Sequence, residues 1–98
     1  MAKMNITLRQ LKVFSAVAKH LSFTRAAEEL HLTQPAVSMQ VKQLESQVES
    51  SLFEQLGKKI YLTEAGEEVY HYSRTISQQL DDMETALANL KGLEHGKL

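Results

Sequence analysis

The sequence predicts a mainly α-helical fold of three short helices and a two-stranded hairpin, followed by one long helix. Three observations predict it. One proline and four glycines interrupt 98 residues, too few breakers for a many-turned β fold. Apolar residues recur at helical spacing from Leu8 to Val48 and again from Val69 to Leu90. Between those stretches, Leu52-Phe53-Glu54-Gln55-Leu56 and Ile60-Tyr61-Leu62 flank a Gly57-Lys58-Lys59 tip, the pattern of a β-hairpin.

The first helix is expected from about Thr7 to His20. Thr7 and Gln10 form a T-x-x-Q capping box, and Leu8, Leu11, Phe14, Ala18 and Leu21 make one apolar face. Ser22 caps a second helix through Leu30. Phe23 anchors its start, Ala26, Ala27 and Leu30 point inward, and Glu28 and Glu29 face water. After the connection His31-Leu32-Thr33, Thr33 caps a third helix that runs to about Val48. Pro35 sits in its first turn, where a missing N–H costs nothing. Val37, Val41, Leu44 and Val48 are its buried stripe. The fourth helix starts at the cap Thr63 and is expected to stop at Gly92, about 28 residues or roughly 42 Å long. This gives a body over 1–62, a long helix over 63–91 and a frayed tail over 92–98.

Composition narrows the function classes. Hydrophobic content of 43% and charged content of 23% are ordinary for a folded globular chain. No apolar run reaches the ~18 residues of a membrane span, and the first residues lack the layout of a signal peptide. With no cysteine, there is no disulfide framework and no thiolate metal site. The four histidines, His20, His31, His71 and His95, are scattered. His71 with Glu67 or Glu68 lacks a third ligand. No nucleophile stands beside a base and no glycine-rich phosphate loop is present, so an enzyme is not expected. The net charge of −1 is unevenly spread. Met1 to Leu62 carries eight Lys/Arg against five Asp/Glu, a balance of +3; Thr63 to Leu98 carries three against seven, a balance of −4. A basic front and an acidic back suggest two jobs.

Two short helices, a tight turn, a capped third helix and a basic hairpin together make a winged helix-turn-helix pattern. A major groove about 12 Å wide admits one helix, provided an apolar stripe holds it to the body and small or polar side chains point out. Val37, Val41 and Leu44 supply the stripe. Gln34, Pro35, Ser38 and Met39 form the candidate base-reading face. Gln34 has the geometry for adenine, Ser38 can serve several bases, and Pro35 and Met39 can touch a thymine methyl. Thr33 and Lys42 are expected at phosphates.

The run Ser22-Phe23-Thr24-Arg25-Ala26-Ala27-Glu28-Glu29-Leu30-His31-Leu32-Thr33-Gln34-Pro35-Ala36-Val37-Ser38 closely resembles the N-terminal DNA-binding domain of LysR-type transcriptional regulators. So do Leu44-Glu45, Leu52-Phe53-Glu54 and Leu62-Thr63-Glu64-Ala65-Gly66. The resemblance runs from about Leu8 to Leu90, and within the family the chain is similar to regulators of carbon-fixation operons. It implies a winged helix-turn-helix followed by a linker helix. Gln34, Pro35, Ser38 and Met39 would face bases, and Thr33, Lys42, Arg25, Lys58 and Lys59 would lie near the DNA backbone. It further implies an interrupted palindrome near a promoter, a cytoplasmic protein at the bacterial nucleoid, and a larger C-terminal effector domain that binds a small-molecule co-inducer. The chain is accordingly expected to be a fragment with no cofactor of its own. Three positions depart from the family pattern: Met39 and Gln55, where many members carry arginine, and Glu49, near which many carry glycine.

Val69, Ser73, Ile76, Leu80, Met83, Leu87 and Leu90 follow one another at spacings of four and three, a heptad seam. A small body cannot cover a helix this long, so the seam predicts a homodimer through the linker helix, with a tetramer as a further expectation for the full-length regulators. Two-fold symmetry would set two recognition helices on one duplex. Tyr70 and Tyr72 flank the seam, and Tyr61 belongs to the wing. Two alternatives stand beside this reading. One is a helical dimerisation or adaptor module that does not bind DNA. The other is a different LysR-like winged-helix protein, such as a molybdate-responsive regulator.

Overall fold

The computed structural model describes residues 5–95. Its elements, in chain order, are α1 (Leu8–His20), α2 (Phe23–Leu30), α3 (Gln34–Val48), β1 (Phe53–Leu56), β2 (Lys59–Leu62) and α4 (Glu64–His95). The helix starts are fixed by side-chain caps. Thr7 Oγ1 accepts from the Gln10 N–H at 3.0 Å while Gln10 Oε1 accepts from the Thr7 N–H at 3.1 Å. Ser22 and Thr33 cap α2 and α3 in the same way, and Thr63 Oγ1 accepts from the Gly66 N–H at 3.0 Å. Each cap satisfies a backbone donor that the first helical turn leaves unpaired.

Helix α1 packs against α2, α3 and α4. Its inner side is rotated from the expected face. Val13, Phe14, Ala16, Val17 and Ala18 are buried, whereas Leu8 is 48% and Leu21 42% exposed. The reason is that three helices cover α1, so its buried arc is wider than one amphipathic stripe. Leu21 is spent on the exit, where it takes a left-handed conformation with φ 50°. Two core clusters result. Val13, Ala16 and Val17 meet Ala26 and Ala27 of α2 and Val37 and Val41 of α3. Phe14 and Ala18 meet Leu44 and Leu52, with Val48 and Val69 at the margin.

The hairpin pairs Phe53 with Leu62, Glu54 with Tyr61, Gln55 with Ile60 and Leu56 with Lys59. Leu52 therefore precedes β1, and Lys59 is the first residue of β2, not part of the tip. The turn is Gly57-Lys58. Gly57 has φ 65° and no other residue of the turn is left-handed, as a type II′ hairpin requires. Phe53, which packs against both clusters, lies 5.3 Å from Phe14 and 5.7 Å from Phe23, centroid to centroid.

Helix α4 does not stop at Gly92 but runs on to His95. A glycine ends a helix only where the chain must turn back on itself, and nothing lies within 4 Å of a Cβ placed at Gly92. Of the expected tail, residues 96–98 lie outside the described residues. No helix among the described residues is long and apolar enough to cross a membrane.

Gly66 has the opposite surroundings. A Cβ there would lie 2.1 Å from the Leu52 carbonyl oxygen. Gly66→Ala should therefore lower the unfolding free energy by about 1–3 kcal/mol or more through overpacking. Gly92→Ala should raise it by up to about 1 kcal/mol, because alanine is the better helix former. Urea denaturation of the two variants checks the pair; equal effects would contradict the close approach at Gly66.

Candidate nucleic-acid interface

Helix α3 has two faces. Val37 and Leu44 are 0% exposed and Val41 2%. Gln34, Pro35 and Met39 are exposed on the other side, Met39 at 53%, and Ser38 is half-buried beside them. The N-terminal half of α3 thus offers a carboxamide, a hydroxyl and two apolar groups to solvent, anchored from beneath by valines. Thr33 Oγ1 accepts from the Ala36 N–H at 3.2 Å, which leaves its O–H free to donate outward. Lys42 is exposed one turn after Ser38.

The turn before α3 is a Schellman exit. His31 is left-handed at φ 58°, and the Leu32 N–H donates to the Ala27 carbonyl at 2.9 Å. Leu32 packs into the core behind it. Arg25 is exposed in the first turn of α2. Lys58 and Lys59 are exposed on the hairpin, Lys58 in the turn. Lys59 shares the outer hairpin face with Glu54, Leu56 and Tyr61; Leu56 and Tyr61 are 58% and 42% exposed. That apolar pair was missed in the sequence, because the hairpin's alternation was not assigned to faces. Gln55 Nε2 donates to the Gly57 carbonyl at 3.3 Å and so braces the turn.

Glu49 closes α3 in the left-handed region at φ 56°, its N–H donating to the Glu45 carbonyl. The structure thereby resolves the departure noted at this position: the helix does turn out here, with a non-glycine residue at a cost of roughly 1–2 kcal/mol.

The heptad seam divides in two. Val69 is half-buried against the cluster of Phe14, Ala18, Leu44 and Leu52, and Ser73 is 1% exposed, so the chain's own body covers the first turns. Val69 and Ser73, expected in the seam, are thus covered by the body instead. From Ile76 onward the seam is open apart from the half-buried Leu80; Met83, Leu87 and Leu90 are 52%, 51% and 59% exposed. Tyr70 packs edge-on against Phe14 at 6.4 Å, with the Arg74 guanidinium 5.6 Å from its ring, while Tyr72 is 60% exposed. Among the described residues, no three His, Asp or Glu side chains stand together to hold a metal ion.

The model of bacterial regulatory helix-turn-helix proteins of the lysR family matches residues 8–67. The chain belongs to the LysR family. It is 64% identical over 95 residues to a RuBisCO operon transcriptional regulator of Allochromatium vinosum, covering 97% of this chain and 32% of that protein. It is 53% identical over 92 residues to the protein of the same name from Acidithiobacillus ferrooxidans, covering 94% of this chain and 30% of that one. The chain thus spans about a third of the length of these relatives. Among solved structures, it is similar to the BenM DBD/benA site 1 DNA complex with a TM-score of 0.83 and 30% identity, over 88% of this chain and 97% of that one. The winged helix-turn-helix with its long following helix is therefore this LysR member's fold.

Glu29 was expected only to face water. It also clips α1 to α2: its Oε1 lies 2.6 Å from His20 Nε2 and 3.2 Å from Lys19 Nζ. The hydrogen bond from His20 first, then that from Lys19, holds its carboxyl below the ordinary value of 4.5. A depressed carboxyl contributes stability that is present above its ordinary pKa and lost as pH falls through its value in the folded protein. Glu29→Gln should therefore flatten the loss of stability on the acid side. Unfolding curves recorded from neutral pH into the acid range test this; parallel curves for variant and parent would refute the clip.

Proposed function

We propose that this LysR-family chain is the sequence-specific DNA-binding unit of a bacterial transcriptional regulator, acting as a homodimer on an interrupted palindrome near a promoter. The observation that carries the reading is the two-faced α3. Its exposed Gln34, Pro35, Ser38 and Met39 stand on a helix held down by Val37, Val41 and Leu44, in a fold similar to a domain solved in a DNA complex. In this reading those four residues meet base edges in the major groove. Thr33, Arg25 and Lys42 meet phosphates, and the wing carries Lys58 and Lys59 to the backbone or minor groove. The open seam from Ile76 to Leu90 joins two copies, while Val69 and Ser73, at its start, are packed against the chain's own body. A two-fold dimer matches a palindrome.

The relatives' name supports operons of carbon fixation as targets. Response to a small-molecule co-inducer is assigned to the additional length that such relatives have, and a tetramer to the full-length proteins. The work is done in the cytoplasm, at the nucleoid. The acidic balance of the second part of the chain is no obstacle, since Asp81, Asp82 and Glu84 lie on the dimer helix.

Selection of duplexes from a random pool should enrich a two-fold symmetric site whose affinity falls steeply with salt; enrichment of nothing would sink the proposal. Gln34→Ala or Ser38→Ala should cost about 1–3 kcal/mol and relax specificity, whereas Lys58→Ala should weaken all sequences alike and reduce the salt slope by about one. For the dimer, Leu87→Lys should shift sedimentation toward the monomer and lower affinity for the full palindrome more than for a half-site. An unchanged sedimentation coefficient would exclude the seam as the interface.

A further inference from the structure

We infer that Glu45 is the positioning residue that sets the pitch of the wing against the recognition helix, and thereby where Lys58 meets the duplex. The second clause rests on the proposed phosphate role of the wing. Three backbone N–H groups of the α3–β1 connection converge on Glu45. Its carbonyl accepts from Glu49 and, at 3.2 Å, from Ser50. Its Oε2 accepts from the Leu52 N–H at 2.8 Å, a charge-assisted bond in a part-buried setting. Leu52 is also where the other end of the hairpin returns. Its carbonyl accepts from the Thr63 N–H at 3.0 Å, and Thr63 Oγ1 donates to the Ser51 carbonyl at 2.6 Å. Both feet of the wing meet at Ser51-Leu52, and the Glu45 carboxylate ties that junction to α3.

The tie is made on the reading side. Ser38, Lys42 and Glu45 follow one another at spacings of four and three, a single stripe of α3. With Ser51, Phe53 and Gln55 they line the cleft between α3 and the wing. A carboxylate in a cleft facing phosphates repels them, so its use there is internal. It is not needed to seat the wing in the core, because Leu52 is 0% exposed and Phe53 packs on both clusters. Those apolar contacts have no direction, whereas a hydrogen bond to one amide has. The wing also amplifies small errors at its base. Five residues at about 3.3 Å each separate Leu52 from Gly57, so a tilt of about 10° moves the turn by roughly 3 Å.

The test compares Glu45→Ala, Glu45→Asp and Glu45→Gln in the whole chain. Alanine removes the acceptor, aspartate keeps the charge but falls one methylene short, and glutamine keeps an oxygen in place. Residual dipolar couplings of backbone amides, measured without DNA, should show β2 rotated relative to α3 in the alanine and aspartate variants and unrotated in the glutamine variant. With the selected duplex, Glu45→Ala and Glu45→Asp should lose affinity several-fold and lower the salt slope by about one, as Lys58→Ala does. Lys58→Ala should add less than its full factor in either background. Glu45→Gln should bind as the parent does. If Glu45→Ala does not fold, Glu45→Asp carries the comparison. Wing couplings unchanged in the aspartate variant would overturn the proposal, as would Lys58→Ala costing its full factor there. A parent chain that binds no duplex would remove the phosphate role of the wing, and the couplings alone would then decide the pitch claim.

Discussion

The structure depends on how Leu52 and Phe53 are held. Leu52 is sealed beneath Phe14 and Leu44, and its backbone is gripped on both sides, by Glu45 at the N–H and by Thr63 at the carbonyl. Phe53 then packs between Phe14 and Phe23, and so joins two clusters that otherwise divide α1 between them. Through these two residues α3, the hairpin and α4 share one point of support. The absence of a side chain at Gly66 belongs to the same constraint, since α4 can leave the body only by passing against the Leu52 carbonyl.

That common support accounts for the separation of tasks along the chain. The side chains packed on that support are apolar or small, apart from the hydrogen-bonding Glu45 and Thr63, and residues one face away are exposed. Val37, Val41 and Leu44 fix α3 to the body, and Gln34 and Met39 stand exposed on its other side with Ser38 half-buried beside them. The same holds for α4. Its first turns are committed to the body through Val69 and Ser73, and its outer turns carry an apolar seam amid acidic side chains. The basic excess sits before α2, where residues 1–20 carry four Lys/Arg and no Asp/Glu; residues 21–62 carry four against five and residues 63–98 three against seven, so a chain of nearly neutral net charge is electrostatically uneven along its length.

Much of this was legible in the sequence because it is written locally. Thr7, Ser22, Thr33 and Thr63 cap helices through bonds to residues three positions on, so helix starts fell within a residue. The face of α3 was legible for the same reason, since one spacing rule sorts Val37 and Val41 from Gln34 and Met39. Outside the hairpin, where Lys59 belongs to β2 and not the tip, the misreadings are tertiary. Val13 and Val17 are core only because α2 and α3 both lie on α1. Leu8 and Leu21 fit an amphipathic face but sit beyond its covered arc. Gly92 has a stop residue's identity without a stop's surroundings. Ser73 looks like a seam position and is buried by its own body. The Glu45–Leu52 bond spans seven residues and a change of structure type, and no spacing rule reaches it. The roles proposed for the exposed face of α3 rest on the family resemblance, and the match over residues 8–67 supports the family for the domain as a whole.

The ends of the short helices carry one more consequence. Helices α1, α2 and α3 all close on left-handed residues that are not glycine, Leu21, His31 and Glu49. Helix α2 is eight residues long and lies between the first two of them. So short a helix is marginal alone, and here both its borders hold conformations that side chains resist. Its shape is imposed by α1 below and α3 beside it. The helix-turn-helix in this chain is accordingly not a portable part: α2 and α3 cut out and grafted onto another scaffold would lose the turn that sets their angle. The angle between α2 and α3 is thus a property of the body as a whole and not of the two helices by themselves.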